Sequence, residues 1–219
     1  MRSKFDEQLA ELHKEMIEMG VLIENSIAMA VRALSGGDVE LAKKTMEGDE
    51  QVDRAQKRIE NICFQLLIQQ QPVAKDLRTI TAAMKMVTDM ERIGDHAADI
   101  SEITLYLHKE KPLENFDHIN RMAAETVDML NHSIEAYVEG DQKKAKEVIS
   151  QDDVVDELFT KAKKDIIDLI LHNPGEGEAA ADLLMVAKYF ERIGDHATNL
   201  AEWVIYSLKT TKDEELYFL

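Results

Sequence analysis

Four pairs of carboxylates stand four residues apart in this chain: Asp49/Asp53, Glu91/Asp95, Asp152/Asp156 and Glu191/Asp195. On an α-helix that spacing puts both side chains on one face, with Cβ atoms about 5–6 Å apart. The two carboxylates of a pair can then reach one cation or bridge two. Clustered carboxylate oxygens suit hard cations such as Mg²⁺, Mn²⁺, Ca²⁺ or iron. Like charges held together are unfavourable unless something positive lies among them. Arg92, Arg192, His96 and His196 are close in sequence and can supply part of that charge, and a bound cation would supply more. The two histidines read as groups that orient neighbouring carboxylates. Asp99 extends the Glu91/Asp95 stripe by four residues, and Asn199 holds the equivalent place after Asp195. Asparagine keeps an oxygen donor and loses the charge, so two such sites are expected to differ. The competing reading is a solvated acidic face, because at 100° per residue Ile93, Ala97 and Ile100 lie on the side of their helix away from Glu91 and Asp95.

The elements that carry these acids follow from a duplication. Glu91-Arg92-Ile93-Gly94-Asp95-His96-Ala97 recurs residue for residue at 191–197, and Glu102 answers Glu202. Upstream, Gly37-Asp38 answers Gly140-Asp141, and the acid-rich stretch 49–53 answers 152–156, both at an offset of 103. The chain therefore reads as two related halves, 1–111 and 112–219. Glycine turns at 36–37 and 140 and the prolines at 72, 112 and 174 mark the breaks. Between them apolar residues recur at three- and four-residue spacing, as in Ile59, Ile62 and Leu66. The pattern predicts long helices over 3–35, 38–71, 73–110, 114–139, 141–172 and 177–210. The fold class expected is all-α: six helices in two tandem three-helix bundles related by a pseudo-twofold.

The same hairpins fix the register of the acids. The midpoints of Asp53 with Glu91 and of Asp49 with Asp95 both fall on Pro72. Those of Asp156 with Glu191 and of Asp152 with Asp195 fall between Asn173 and Pro174. In each antiparallel hairpin the two acid pairs should lie level, about 28 Å from the turn at 1.5 Å per residue. Gly94 and Gly194 fall inside the helices, where glycine costs about 1 kcal/mol relative to alanine. Close helix contact is the preferred explanation. Met84, Met86 and Met90 read as core.

Composition narrows the function classes. A net charge of −17 over 219 residues repels nucleic-acid phosphates and anionic lipid headgroups. The single cysteine, Cys63, excludes an internal disulfide and reads as a buried thiol. No run approaches the ~18 apolar residues of a membrane span, and the polar opening Met1–Glu7 has no apolar targeting core, so a cytoplasmic location is expected. Neither a Gly-rich phosphate loop, a nucleophile elbow nor a zincin motif is found, and no catalytic activity is expected. A ferritin-type di-iron enzyme would pair glutamates with Glu-x-x-His motifs. The residues three before the seven histidines are Ala10, Ile93, Leu105, Asn115, Met129, Leu169 and Ile193, none of them glutamate. A metal-independent helical adaptor is the remaining alternative.

Gln71-Pro72-Val73-Ala74-Lys75-Asp76-Leu77-Arg78, the two Glu-Arg-Ile-Gly-Asp-His segments and the four acid pairs closely resemble the PhoU family of phosphate-specific transport system accessory proteins. The resemblance covers essentially the whole chain. It implies multinuclear sites for iron, zinc, manganese or magnesium at the acid pairs. It also implies a negative regulator of phosphate uptake and phosphate-responsive signalling. The implied partners are the ATPase subunit of the phosphate ABC transporter and, where present, a sensor histidine kinase at the inner membrane. A homodimer is the expected assembly. Arg78, a candidate partner contact, has no arginine counterpart in the second half, where Ala179-Ala180-Ala181-Asp182-Leu183-Leu184 occupies the region.

Overall fold

A computed structural model describes residues 2–70, 72–107 and 117–209. The expected break at Pro112, the half boundary at 111/112 and Gln71 of the proline motif lie outside them. Six helices account for the described chain: α1 Arg2–Gly36, α2 Val39–Gln70, α3 Ala74–Leu107, α4 Asp117–Glu139, α5 Gln142–His172 and α6 Gly177–Leu208. One 3₁₀ turn, Pro174–Glu176, precedes α6. No strand occurs among the described residues.

The first turn of each half is built twice from the same dipeptide. Gly37 and Gly140 adopt φ of 62° and 69°, which an L side chain disfavours. The next amide then closes back on the helix: Asp38 N donates to Ala33 O at 3.0 Å and Asp141 N to Ala136 O at 2.9 Å, the glycine C-cap geometry. The same aspartates cap the helix that follows. Asp38 Oδ1 accepts from Leu41 N at 2.9 Å, and Asp141 Oδ1 accepts from Lys143 N and Lys144 N at 2.9 and 3.1 Å. Two residues thus end one helix and start the next.

Helices α1–α3 pack together, as do α4–α6, and α3 lies against α6 between the two groups. Burial follows the 3.6-residue period. On α1 it takes Leu12, Met16, Met19, Ile23 and Ile27, and on α2 Val52, Ala55, Ile59, Cys63 and Leu66. Met86 and Met90 are buried and Met84 packs partly buried against the core. One continuous apolar cluster runs through both halves. Polar ties cross it: Ser133 Oγ donates to Ala197 O at 3.1 Å, and Tyr137 Oη donates to Thr79 O at 3.0 Å. Among the described residues no helix is long and apolar enough to cross a membrane.

Candidate metal centre

Glycine brings the acids of each hairpin together. A Cβ on Gly94 of α3 would stand 2.9 Å from Val52 Cγ1 and 3.5 Å from Asp49 Oδ1 of α2. In the second hairpin a Cβ on Gly194 would meet Asp152 Oδ1 at 3.2 Å and Val155 Cγ1 at 3.3 Å. The close helix contact expected at both glycines is present, and it sets Asp49 and Asp152 against the neighbouring backbone. The acids flank this seam. Ile93, Ala97 and Ile100 are fully buried, whereas the Glu91 and Asp95 side chains keep 19% and 31% of their exposure. They are therefore half-buried at the edge of the core, neither inside it nor on a fully solvated face.

The electrostatics show which acids share a field. Asp49 is pushed up to about 6, first by burial and then by Asp95, Asp53 and Asp99. Glu91 is raised by burial and by Asp95, opposed by Arg92, with smaller contributions from Asp53 and Asp49. Asp49, Asp53, Glu91, Asp95 and Asp99 thus form one cluster across α2 and α3. Asp152 is likewise pushed up to about 6, by burial, Asp156 and Asp195. Asp195 is raised by burial and Glu191, opposed by Lys188, and further raised by Asp156. Asp152, Asp156, Glu191 and Asp195 form the second cluster across α5 and α6.

Among the described residues each cluster has a close Arg or Lys, and the two are not equivalent. Arg92 reaches Asp95 at 3.0 Å and Glu91 at 3.6 Å. In the second half the ion pair is Lys188 with Glu191, an i,i+3 contact. Lys188 is not marked by the repeat, although its helical spacing from Glu191 is legible in the sequence. Among the described residues no three His, Cys, Asp or Glu side chains are already drawn onto one point as a finished ligand set. The acids are neighbours in one field with their oxygens still apart.

Between the clusters, α3 and α6 meet through their histidines, whose ring centroids are 5.7 Å apart. His96 is buried and its Nδ1 lies 3.2 Å from Asp99 Oδ2 on its own helix. His196 instead crosses to α3, with Nδ1 2.8 Å from Asp89 Oδ1. Asn199 Nδ2 donates to the same Asp89 oxygen at 3.2 Å, so its amide is turned toward α3. The expected orienting role of the histidines thus has a definite form: His96 holds Asp99, a member of the first cluster. Asp89 was not foreseen from sequence. Its partners lie 107 and 110 residues away, and the duplicate position carries Tyr189, which packs against His96 at 5.2 Å. Arg78 is half-buried near the start of α3. It is 13 residues before Glu91, about 20 Å along the helix, and belongs to neither cluster.

The PhoU domain pattern matches the chain twice, over residues 16–104 and 119–204. The phosphate-specific transport system accessory protein PhoU homolog of Clostridium acetobutylicum is 38% identical over 216 residues, covering 98% of both chains. The homolog of the same description from Aquifex aeolicus is 37% identical over 189 residues, 86% of each chain. Among solved structures, PhoU from Pseudomonas aeruginosa superposes with a TM-score of 0.87 at 29% identity, covering 93% of this chain and 98% of that one. The phosphate transport system regulatory protein PhoU from Streptococcus pneumoniae gives a TM-score of 0.83 at 27% identity. With both halves matched and the likeness running nearly end to end, this chain belongs to the PhoU family.

Proposed function

We propose that this chain is an accessory regulator of phosphate uptake that restrains the transporter, and phosphate-responsive signalling, by protein–protein contact rather than by catalysis. The observation that carries the reading is its likeness over 98% of both chains to a phosphate-specific transport system accessory protein. The partners we assign are the ATPase subunit of the phosphate ABC transporter and, where one exists, a sensor histidine kinase. The chain would work in the cytoplasm, reaching the inner membrane only through them. A homodimer is the assembly we expect, and sedimentation of the purified chain measures it.

We further assign cations to the two acid clusters, drawn from iron, zinc, manganese and magnesium. The donor chemistry fits. Each cluster offers carboxylate oxygens from two helices, with one Arg or one Lys against four or five acids. Asp49 and Asp152, pushed up to about 6, show repulsion and desolvation that a positive charge would relieve. Asp49, Asp53, Glu91 and Asp95 would hold the first site, with Asp99 set by His96. Asp152, Asp156, Glu191 and Asp195 would hold the second, with Asn199 at its flank. A bound cation would supply the charge that fixes α2 to α3 and α5 to α6 at one level, stiffening the face offered to partners.

The test is a deletion strain. Phosphate uptake and a phosphate-starvation reporter should stay active in phosphate-rich medium, and the parent gene should restore repression. Normal repression in the deletion strain, with no second copy of the family, would refute the regulatory reading. Restoration by a variant lacking both acid clusters would favour an adaptor that works without metal.

A further inference from the structure

A second kind of donor set lies at the far end of the second half. A cavity of about 470 Å³ opens between the start of α4, the last turns of α5 and the start of α6. His118, Asp165, Asp168 and His172 line it, over an apolar floor that includes Leu183. Asp165, Asp168 and His172 are spaced i, i+3, i+7 on α5, which places them on one helix face. Helical side chains tilt toward the N-terminus, so His172 leans back over Asp168, toward the level where His118 meets Asp165.

Both histidines have their Nδ1 engaged. His172 Nδ1 lies 2.7 Å from Asp168 O, and a carbonyl can only accept, so Nδ1 carries the proton. His118 Nδ1, on α4, lies 2.6 Å from Asp165 Oδ2 on α5. With Nδ1–H donated, the neutral ring keeps its lone pair on Nε2, the state in which imidazole ligates metal. A carboxylate or carbonyl on the second nitrogen is also the usual outer-shell arrangement of a metal-binding histidine.

The duplication provides an internal control. At the offset of 103 that relates Gly37-Asp38 to Gly140-Asp141, the positions of His118, Asp165, Asp168 and His172 correspond to Glu15, Ile62, Gln65 and Gln69. The first half therefore has no imidazole there, and Glu15 makes an ion pair with Arg58 at 2.9 Å. The donor set belongs to one half only and is not a by-product of the shared fold.

The geometry points to a site for one borderline divalent cation of the Zn²⁺ class, held by His118 and His172 through Nε2, with Asp168 supplying an oxygen and Asp165 orienting His118. Imidazole nitrogens select such ions over the hard cations that suit carboxylate clusters. The donors are not yet gathered on one point. His172 is exposed in the last turn of α5. The site stands apart from the acid clusters and does not depend on their role.

Zn²⁺ titration in excess Mg²⁺ tests it, using the whole chain with Glu91, Asp95, Glu191 and Asp195 replaced by Ala so that the acid clusters no longer compete. One equivalent of Zn²⁺ should bind. H118Q/H172Q, with helicity checked by circular dichroism, should lose that equivalent. D165N keeps both imidazoles and should weaken binding by about 10- to 100-fold, as expected for an outer-shell partner. Co²⁺ in the same site should give the intense visible bands of a low-coordinate nitrogen and oxygen environment. The proposal is overturned if the acid-cluster variant binds no Zn²⁺ at stoichiometric concentration, or if H118Q/H172Q binds as much as its parent. Should the four-Ala background fail to fold, the same comparison in the otherwise unaltered chain decides it, because the His variants must still lose one equivalent.

Discussion

Gly94 on α3 is pressed against Val52 on α2 so closely that a Cβ would lie 2.9 Å from the valine Cγ1. Valine is stiff at χ1 and fully packed here, so it cannot turn aside cheaply. Gly94→Ala should gain up to about 1 kcal/mol of helix propensity and lose about 1–3 kcal/mol to overpacking. The net expectation is a loss near 1 kcal/mol, or a fall of roughly 2–4 °C in the unfolding midpoint for a chain of this size. Gly194→Ala meets Asp152 Oδ1 at 3.2 Å and Val155 Cγ1 at 3.3 Å, a milder crowding that the helix-propensity gain offsets, and should be nearly neutral. Gly48, in α2 with nothing within 4 Å of its Cβ position, should gain stability as alanine. Thermal melts of the three variants check the order. A Gly94→Ala protein as stable as Gly48→Ala would mean that the α2–α3 seam is looser than described.

Asp89 joins the two halves by accepting from His196 and Asn199 together. Asp89→Ala leaves the part-buried His196 ring without its partner, at a cost of about 1–3 kcal/mol, while the exposed Asn199 amide can turn to water. The midpoint should fall by several degrees. In a double-mutant cycle with His196→Ala the two losses should fail to add by at least about 0.5 kcal/mol, since the residues share one bond. Additive losses would show that the pair contributes nothing to holding α3 on α6.

Much of this arrangement was legible in the sequence because local signals and the repeat agreed. Gly37-Asp38 and Gly140-Asp141 each specify a helix end and the next helix start, and both do so in the structure. The shared midpoints at the hairpin turns placed Asp49 with Asp95 and Asp152 with Asp195, and the fields on Asp49 and Asp152 contain those partners. Asp89 and Lys188 were hidden for opposite reasons. Asp89 finds its partners on another helix more than a hundred residues away, which no periodicity reports. Lys188 sits beside Glu191 in plain helical spacing, but its duplicate position is Thr88, so the repeat does not mark it. How far the acid oxygens stand from one another depends on side-chain torsions, which spacing along a helix leaves open.

The raised carboxyls set a pH dependence. An unfolded aspartate titrates near 3.9, while Asp49 and Asp152 titrate at about 6 in the folded chain. Between those values the folded chain holds protons that the unfolded chain has released. Their contribution to stability is fully present below the lower value and is lost as pH rises through about 6. His13 and His96 are pushed down by burial and act oppositely, adding stability as pH rises toward 6.5. The readout is therefore a difference in slope. In chelator, D49N/D152N should lose less stability than the parent, or gain more, between pH 4 and pH 7. Parallel curves for the two proteins would show that these carboxyls titrate normally.

Metal and the first acid cluster can be tested together. Asp95 is the carboxylate that raises Asp49 most, and Glu91 shares their field. Replacing both by alanine should remove binding in the first hairpin and leave the second nearly intact. In chelator the E91A/D95A chain should be as stable as the parent or more so, because repulsion on Asp49 is relieved and only the exposed Arg92 loses its partners. With Mn²⁺ at 100 times its dissociation constant, each occupied site should add about 2.7 kcal/mol, or about 5–10 °C in the midpoint of a chain of this size. The parent should show both increments and the variant one. Acid should cancel them, since the carboxylates must be ionised to bind and Asp49 and Asp152 take up protons at about 6. Paired melts with metal analysis of the same samples decide the matter. If E91A/D95A binds as much Mn²⁺ as the parent, the first cluster is not a site. If no hard cation raises the parent's midpoint at pH 7.5, both acidic stripes are partly solvated faces that the fold tolerates at a cost, and their duplication is inherited with the helices.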